Sequence, residues 1–180
     1  SYPISLYQDQ NKTYAQTTIE KPLYIVTPQI VKEVTKDLFE LRDKRLLGIA
    51  SDKLTIVRIQ TLTESYSLIR QNGQWLLEQD PGTPIGQKEA ALLVSRLADV
   101  PAERRITGEE RLDTYDLNTP SLTITAVDER GQARGRLLVG KADHGLAYAT
   151  GGGIPGVYQV RSTILTQIPT MQELINEGGK

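Results

Sequence analysis

The stretch Leu41-Arg42-Asp43-Lys44-Arg45-Leu46-Leu47 divides the chain into two segments of different character. Before it, Thr27-Pro28 places an N-cap residue ahead of a proline at the first helical position, which is a strong signal for a helix start. After it, from Leu54 onward, apolar residues recur with a period of two, which is typical of strands. The stretch is therefore predicted to close a helix and to mark a structural boundary.

Local signals along the rest of the chain predict hairpins and helices. Asn72-Gly73 joins two strand patterns as a type I′ turn, and residues 86–98 carry apolar side chains at helical spacing. Ser162 is predicted to cap a short helix, and Thr170 with Glu173 forms a capping box for the last one. The sequence thus predicts an α+β fold of mostly antiparallel strands in hairpins, with three or four helices packed on one face.

Two parts of the chain resemble each other when Tyr14 is aligned with Tyr148, which is called here the internal alignment. The other identical pairs are Ala15 and Ala149, Tyr24 and Tyr158, Val26 and Val160, and Ile30 and Ile164. Since the strand–turn–strand–helix order also agrees, residues 1–45 are interpreted as the C-terminal half of a preceding repeat unit. Residues 46–180 are interpreted as a complete second unit, with the two packed together. Chance similarity between two strand–helix segments is the alternative.

Composition excludes several classes of function. The net charge of −1, with acidic and basic residues interspersed, argues against nucleic acid or an anionic membrane surface as the main partner. The absence of cysteine excludes disulfides, thiolate metal sites and cysteine nucleophiles. No window approaches 18 consecutive apolar residues, so we expect any membrane attachment to occur through an anchor outside this chain.

Short motifs spread over nearly the whole chain resemble those of a bacterial domain-of-unknown-function family, family 4340. The matching residues are Leu41–Leu47, Trp75 before Pro81, Tyr115-Asp116-Leu117-Asn118 with Pro120, Leu138-Val139-Gly140, Tyr148-Ala149 and Val157-Tyr158-Gln159-Val160. Two positions depart from the family pattern, since Asp116 stands where glycine is usual and Gly86 where aspartate is usual.

The resemblance implies a location and a setting but no chemistry. Members of the family are typically membrane-anchored, extracytoplasmic proteins that occur as consecutive copies, often encoded beside ABC-type transporter or gliding-motility components. No catalytic residues are established for the family, so none are carried over to this chain.

The glycine-rich segment 151–156 matches the pattern G-x-G-x-x-G. A dinucleotide site of this kind requires a helix that starts at the glycines, so that free amides meet the pyrophosphate. Here Pro155 removes one amide and a strand pattern follows, so a hairpin loop is the favoured interpretation.

Other candidates for chemistry are few. His144 is the only histidine, and it is interpreted as a solvated turn residue because adjacent Asp143 is expected to point elsewhere. Four carboxylates lie close together, namely Glu109, Glu110, Asp113 and Asp116, but no calcium-binding loop motif accompanies them. We therefore predict no cofactor, no metal and no catalytic residue.

Seven residues are candidates for contact with a partner. Arg42, Asp43, Lys44 and Arg45 suit either an anionic partner or the C-terminus of a helix, where cations interact favourably with the dipole. The aromatic candidates are Trp75, Tyr148 and Tyr158, which suit either a carbohydrate surface or half-buried strand packing.

The leading expectation for function is a non-catalytic, extracytoplasmic interaction or scaffold module in a membrane-associated assembly, with a protein partner and a link to an ABC transporter. One alternative is a ligand-binding module for a glycan or another small molecule, which predicts a concave pocket lined by tyrosines. Another is a hydrolase dependent on His144, which predicts that this histidine lies in a cleft.

Overall fold

A computed structural model of the chain describes residues 4–9, 12–17, 22–34, 43–107 and 111–179. The chain divides into two compact units, Ser1–Asp43 and Lys44–Lys180, which are called here the N-terminal and C-terminal units. The division falls inside the charged stretch that the sequence singles out. The repeat interpretation assigned to these two segments stays a prediction.

The N-terminal unit is a small antiparallel sheet followed by a helix. Its strands are β1 (Ile4–Asp9), β2 (Lys12–Thr17) and β3 (Tyr24–Val26), in that order across the sheet. Helix α1 (Pro28–Val34) begins at the proline that the sequence predicts, and the amide of Ile30 donates to Thr27 Oγ1 at 3.4 Å. The continuation of this helix pattern through Leu38 and Leu41 lies outside the described residues.

The C-terminal unit is built on one eight-stranded antiparallel sheet in the order β6-β5-β4-β8-β9-β10-β11-β7. The strands are β4 (Leu54–Thr61), β5 (Ser65–Gln71), β6 (Gln74–Leu77), β7 (Arg104–Arg105), β8 (Leu122–Asp128), β9 (Ala133–Asp143), β10 (Leu146–Gly151) and β11 (Tyr158–Arg161). Asn72 and Gly73 have φ of 51° and 82°, which confirms the predicted hairpin turn between β5 and β6 because a type I′ turn needs positive φ at both central residues.

Three helices complete the C-terminal unit: α2 (Gln87–Ala98), α3 (Thr163–Thr166) and α4 (Met171–Gly178). Helix α2 buries Ala90, Leu93, Val94 and Leu97, the stripe that its spacing predicts. The capping box of α4 is confirmed, since the amide of Glu173 donates to Thr170 Oγ1 and the amide of Thr170 donates to Glu173 Oε2. Ser162 is the N-cap residue of α3 as predicted, but its side chain makes no capping hydrogen bond and its backbone is already helical.

The α+β class with mostly antiparallel strands is confirmed. The hydrophobic core lies in the C-terminal unit, where alternate residues of the central strands are fully buried, among them Val57, Ile59, Leu122, Ile124 and Val139. No described residue of the N-terminal unit is buried in the same sense.

Candidate functional site

The second half of the charged stretch is part of the C-terminal core. Leu46 and Leu47 are fully buried, the amide of Leu46 donates to the carbonyl of Val100 at 3.0 Å, and Arg45 forms an isolated bridge with Pro101. Asp43 is exposed, whereas Lys44 and Arg45 are half-buried. Arg42 lies outside the described residues. The backbone of residues 44–47 thus acts as a structural strap, and this accounts for the run of leucines that follows the charges.

The glycine-rich segment packs against this strap and leaves no phosphate cradle. The amide of Gly153 donates to the carbonyl of Leu46 at 2.8 Å, and the amide of Gly152 donates to the carbonyl of Arg136 at 3.1 Å. Phosphate binding by a glycine-rich loop depends on amides that point freely at the ligand. Because both amides already serve other backbone groups, the segment is a loop between β10 and β11 that holds the strap in place.

The three aromatic candidates differ in accessibility. Trp75 is only 6% exposed, and Tyr158 is fully buried with its hydroxyl donating to the carbonyl of Pro155 at 2.8 Å. Tyr148 is half-buried and stacks on Tyr115, with ring centroids 4.3 Å apart. A side chain without exposed surface contacts no partner in this conformation, so packing explains Trp75 and Tyr158 better than recognition does.

His144 lies at the tip of the hairpin between β9 and β10. Its φ is 48°, its side chain is 92% exposed, and its Nδ1 lies 2.6 Å from Asp143 Oδ1. The expectation that Asp143 points away is therefore wrong. The pair is nevertheless open to solvent and lines none of the cavities described below. The protein therefore does not enclose a substrate beside this histidine.

Of the four carboxylates near residue 110, the structure describes Asp113 and Asp116. Asp113 accepts a hydrogen bond from Arg111 at 3.0 Å, and this bond holds the pKa of its carboxyl below the usual range. Asp116 occupies the left-handed region with φ of 56°, the conformation that glycine favours. Within the described residues, no three histidine or carboxylate side chains come together as a metal site.

An apolar cavity of about 240 Å³ lies in the C-terminal unit between α2, β11 and α3. Leu93 and Leu97 of α2 face Val160, Ile164 and Ile168 across it, and Arg96 and Arg161 lie at its rim. No tyrosine lines this cavity, so it does not match the tyrosine-lined pocket expected of a glycan-binding module.

A wider, polar cleft lies beside Asp52, Lys53, Asp128 and Arg134.

Asp128 in that cleft is occupied by its own turn. Its carboxylate accepts hydrogen bonds from the amides of Arg130 and Gln132 and from the guanidinium of Arg134. These bonds, the one from Arg134 most of all, lower the pKa of Asp128. The carboxylate is thus used to fix the turn between β8 and β9.

An apolar surface lies on the N-terminal sheet. Leu6, Ala15 and Tyr24 are direct cross-strand neighbours on one face, and Val26 follows on the same face; these four residues are called here the apolar row. Tyr24 is 49% exposed, and the other three are half-buried. Of the nine large exposed hydrophobic residues in the described part of the chain, six belong to this unit; two of the six, Tyr7 and Ile25, lie on the opposite face of the sheet. Sequence reasoning did not select the apolar row, although the internal alignment contained three of its members.

The counterparts of the apolar row in the C-terminal unit belong to the core. In the internal alignment, Ala15, Tyr24 and Val26 correspond to Ala149, Tyr158 and Val160, which are between 0% and 1% exposed. The same residue types are therefore buried in one unit and solvent-accessible in the other. A contiguous apolar surface of this kind is a mark of an interaction site.

No helix in the described part of the chain has both the length and the apolar character needed to cross a membrane. Neither the curated proteins nor the solved structures contain a match to this chain. One family model, described as Domain of unknown function (DUF4340), matches residues 75–177, which is more than half of the chain. The match confirms the family resemblance that the sequence motifs carry.

Proposed function

Since the chain belongs to the DUF4340 family, we propose that it acts as a non-catalytic interaction or scaffold module through the apolar row of its N-terminal unit. The observation that carries this proposal is the exposure of Tyr24 at 49%, against 0% for its counterpart Tyr158. Burying an exposed aromatic side chain in an interface stabilises a complex by roughly 1.5–3 kcal/mol, so such a row is a source of affinity.

The wider setting of the proposal is an extracytoplasmic, membrane-associated assembly, linked to an ABC transporter. Its support is the resemblance to a family whose members are typically anchored in membranes on that side. The exposed position of His144 and the occupied amides of the glycine-rich loop give no support to a catalytic alternative.

Site-specific photo-crosslinking tests the proposal. A photoreactive phenylalanine derivative is placed at position 24 in cells that make the full-length protein, and its adducts are mapped by mass spectrometry. We expect a defined polypeptide adduct from position 24. Leu62 is the matched control, because it is a single leucine, 78% exposed, in the turn between β4 and β5. Absence of an adduct from position 24, or the same adducts from both positions, would contradict the proposal.

A second candidate function is binding of a small apolar molecule in the cavity between α2, β11 and α3. Its support is the apolar lining together with the two arginines at the rim. A thermal-shift panel of small molecules tests it, since a ligand at 100 times its dissociation constant stabilises a protein by about 2.7 kcal/mol. Ile164→Trp fills the cavity and is expected to abolish the shift, whereas a shift that survives this substitution places the ligand elsewhere.

A further inference from the structure

The described secondary structure of the N-terminal unit coincides with the end of the C-terminal unit in the internal alignment. Strand β2 (Lys12–Thr17) corresponds to β10 (Leu146–Gly151) with identical bounds, and β3 falls within β11. The pairing agrees as far as Ala147, beyond which a β-bulge places Val139 opposite Ala149, one residue from the position that Leu6 opposite Ala15 predicts. Asp9 pairs with Lys12, and their counterparts Asp143 and Leu146 also pair with each other. Thr13 pairs with Val26, and so do their counterparts Ala147 and Val160. The C-terminal unit is therefore a template for what covers such a sheet.

Two strands flank the sheet in that template. Strand β8 pairs with β9, with Leu122 opposite Val139. At the other edge of the sheet, β7 pairs with β11, with Arg105 opposite Tyr158. The amide of Glu103 donates to the carbonyl of Gln159, and the amide of Ile106 donates to the carbonyl of Val157. Among the described residues, the corresponding strands β1 and β3 are the outer strands of their sheet.

In the template, a helix lines an apolar cavity together with β11. Leu93 and Leu97 of α2 approach Val160 and Ile164 across the apolar cavity. Their counterparts in the N-terminal unit are Val26 and Ile30, and Ile30 is 49% exposed. An amphipathic helix with leucines three or four residues apart therefore fits over the apolar row.

We infer that the apolar row is covered by a front half-unit, meaning a polypeptide with the strand-and-helix pattern that residues 44–134 of this chain present to their own sheet. The inference rests on the proposed function, in which the apolar row is the contact surface. A second copy that adds its own β1 edge to edge would extend the sheet and leave the face open, because edge pairing engages backbone groups and not the side chains of a face.

A fusion protein tests the inference. A duplicate of residues 44–134 is placed directly before Ser1 of the full chain. In this fusion protein, the number of residues between the duplicate and β2 equals the number between the original segment and β10. Hydrogen exchange of the amides in residues 12–17 and 24–26 is compared between the fusion protein and the chain alone. We expect exchange at these residues to slow by at least about tenfold in the fusion protein, since covered strands open less often.

The matched control is the same fusion protein with Leu6→Ser and Tyr24→Ser in the N-terminal unit. It is expected to return exchange in residues 12–17 to the rate of the chain alone, while residues 146–151 keep their protection. Unchanged exchange in the unaltered fusion protein overturns the inference. Protection that appears only at concentrations where sedimentation detects dimers also overturns it, in favour of a second copy. Either failure leaves the crosslinking test at position 24 as an independent measure of the proposed function.

Discussion

At the scale of single residues, two side chains show how local geometry and burial set stability. Asp116 adopts φ of 56° at the end of the short 3₁₀ helix Leu112–Tyr115, where a side chain is strained and glycine is not. The family resemblance implies glycine at this position, and Asp116 adopts the left-handed conformation that glycine takes without strain. Tyr66 is buried, and its hydroxyl donates to the carbonyl of Pro169 at 2.6 Å.

Asp116→Gly is expected to stabilise the protein. Relief of the left-handed strain outweighs the added backbone freedom of glycine in the unfolded chain, for a net gain of about 0.5 kcal/mol. Urea denaturation measures the free energy of unfolding. The control is Asp116→Ala, which keeps the strain and removes the polar group, and which is expected to destabilise by a similar amount. Equal stability of the two variants would show that φ is not the cause.

Tyr66→Phe is expected to cost about 1 kcal/mol at neutral pH through the lost hydrogen bond to Pro169. Burial, together with the charges of Glu64 and Glu173, raises the pKa of Tyr66 in the folded state. Above pH of about 10 the unfolded chain ionises this tyrosine while the folded state keeps it neutral, so the stability of the unaltered protein falls as pH rises.

The stability of the unaltered protein relative to Tyr66→Phe should therefore fall by roughly 1.4 kcal/mol per pH unit above pH 10, so that the advantage of about 1 kcal/mol is lost or reversed by pH 11. Denaturation of both proteins at pH 8 and pH 11 measures this difference. Because the other tyrosines are shared, they cancel in the comparison. A difference that stays constant across this range would mean that Tyr66 ionises equally in both states.

At the scale of secondary-structure elements, the strap at residues 44–47 and the loop after β10 depend on each other. A side chain at Gly151 would meet the carbonyl of Leu46, and one at Gly153 would meet the backbone of Gly48. The glycines of the motif are thus explained by close backbone approach.

Gly151→Ala is expected to destabilise the C-terminal unit by about 1–3 kcal/mol, since the added methyl group displaces the strap. Trp75 is the only tryptophan and is buried in this unit, so its fluorescence follows the denaturation. Gly82→Ala is the matched control, because the nearest atom to its added carbon is Asp80 Oδ1 at 3.7 Å. This control should stay within about 0.5 kcal/mol of the unaltered protein. Equal losses in the two variants would argue against the close approach.

At the scale of the whole molecule, the two units differ in how completely they bury their apolar residues. The C-terminal unit contains every fully buried hydrophobic residue in the described part of the chain. The N-terminal unit presents six large hydrophobic residues to solvent, spread over both faces of its sheet and its helix. Three strands with one helix make a marginal core by themselves.

We expect the two corresponding strands to differ in hydrogen exchange within the same molecule. The amides of Tyr14 and Ala15 should exchange at least about tenfold faster than those of Tyr148 and Ala149, because opening of the smaller sheet exposes less apolar surface. Since both pairs have the same residue types, their intrinsic rates are closely matched. Equal protection would mean that the N-terminal sheet is as stable as the core of the C-terminal unit.

Local signals in the sequence by themselves determined the starts of α1 and α4, the turn at Asn72-Gly73 and the alternation of the strands, because each depends on contacts within a few residues. Only the tertiary structure decided that Leu46 packs beneath the glycine-rich loop, and that Tyr24 is exposed while Tyr158 is buried. Those two tyrosines correspond in the internal alignment, and each stands two residues before a valine. Their different burial is set by what packs on each sheet. In the C-terminal unit, Leu93 and Leu97 of α2 line the same apolar cavity as Val160 of β11, although α2 is distant from β11 along the chain and meets it only in the folded state.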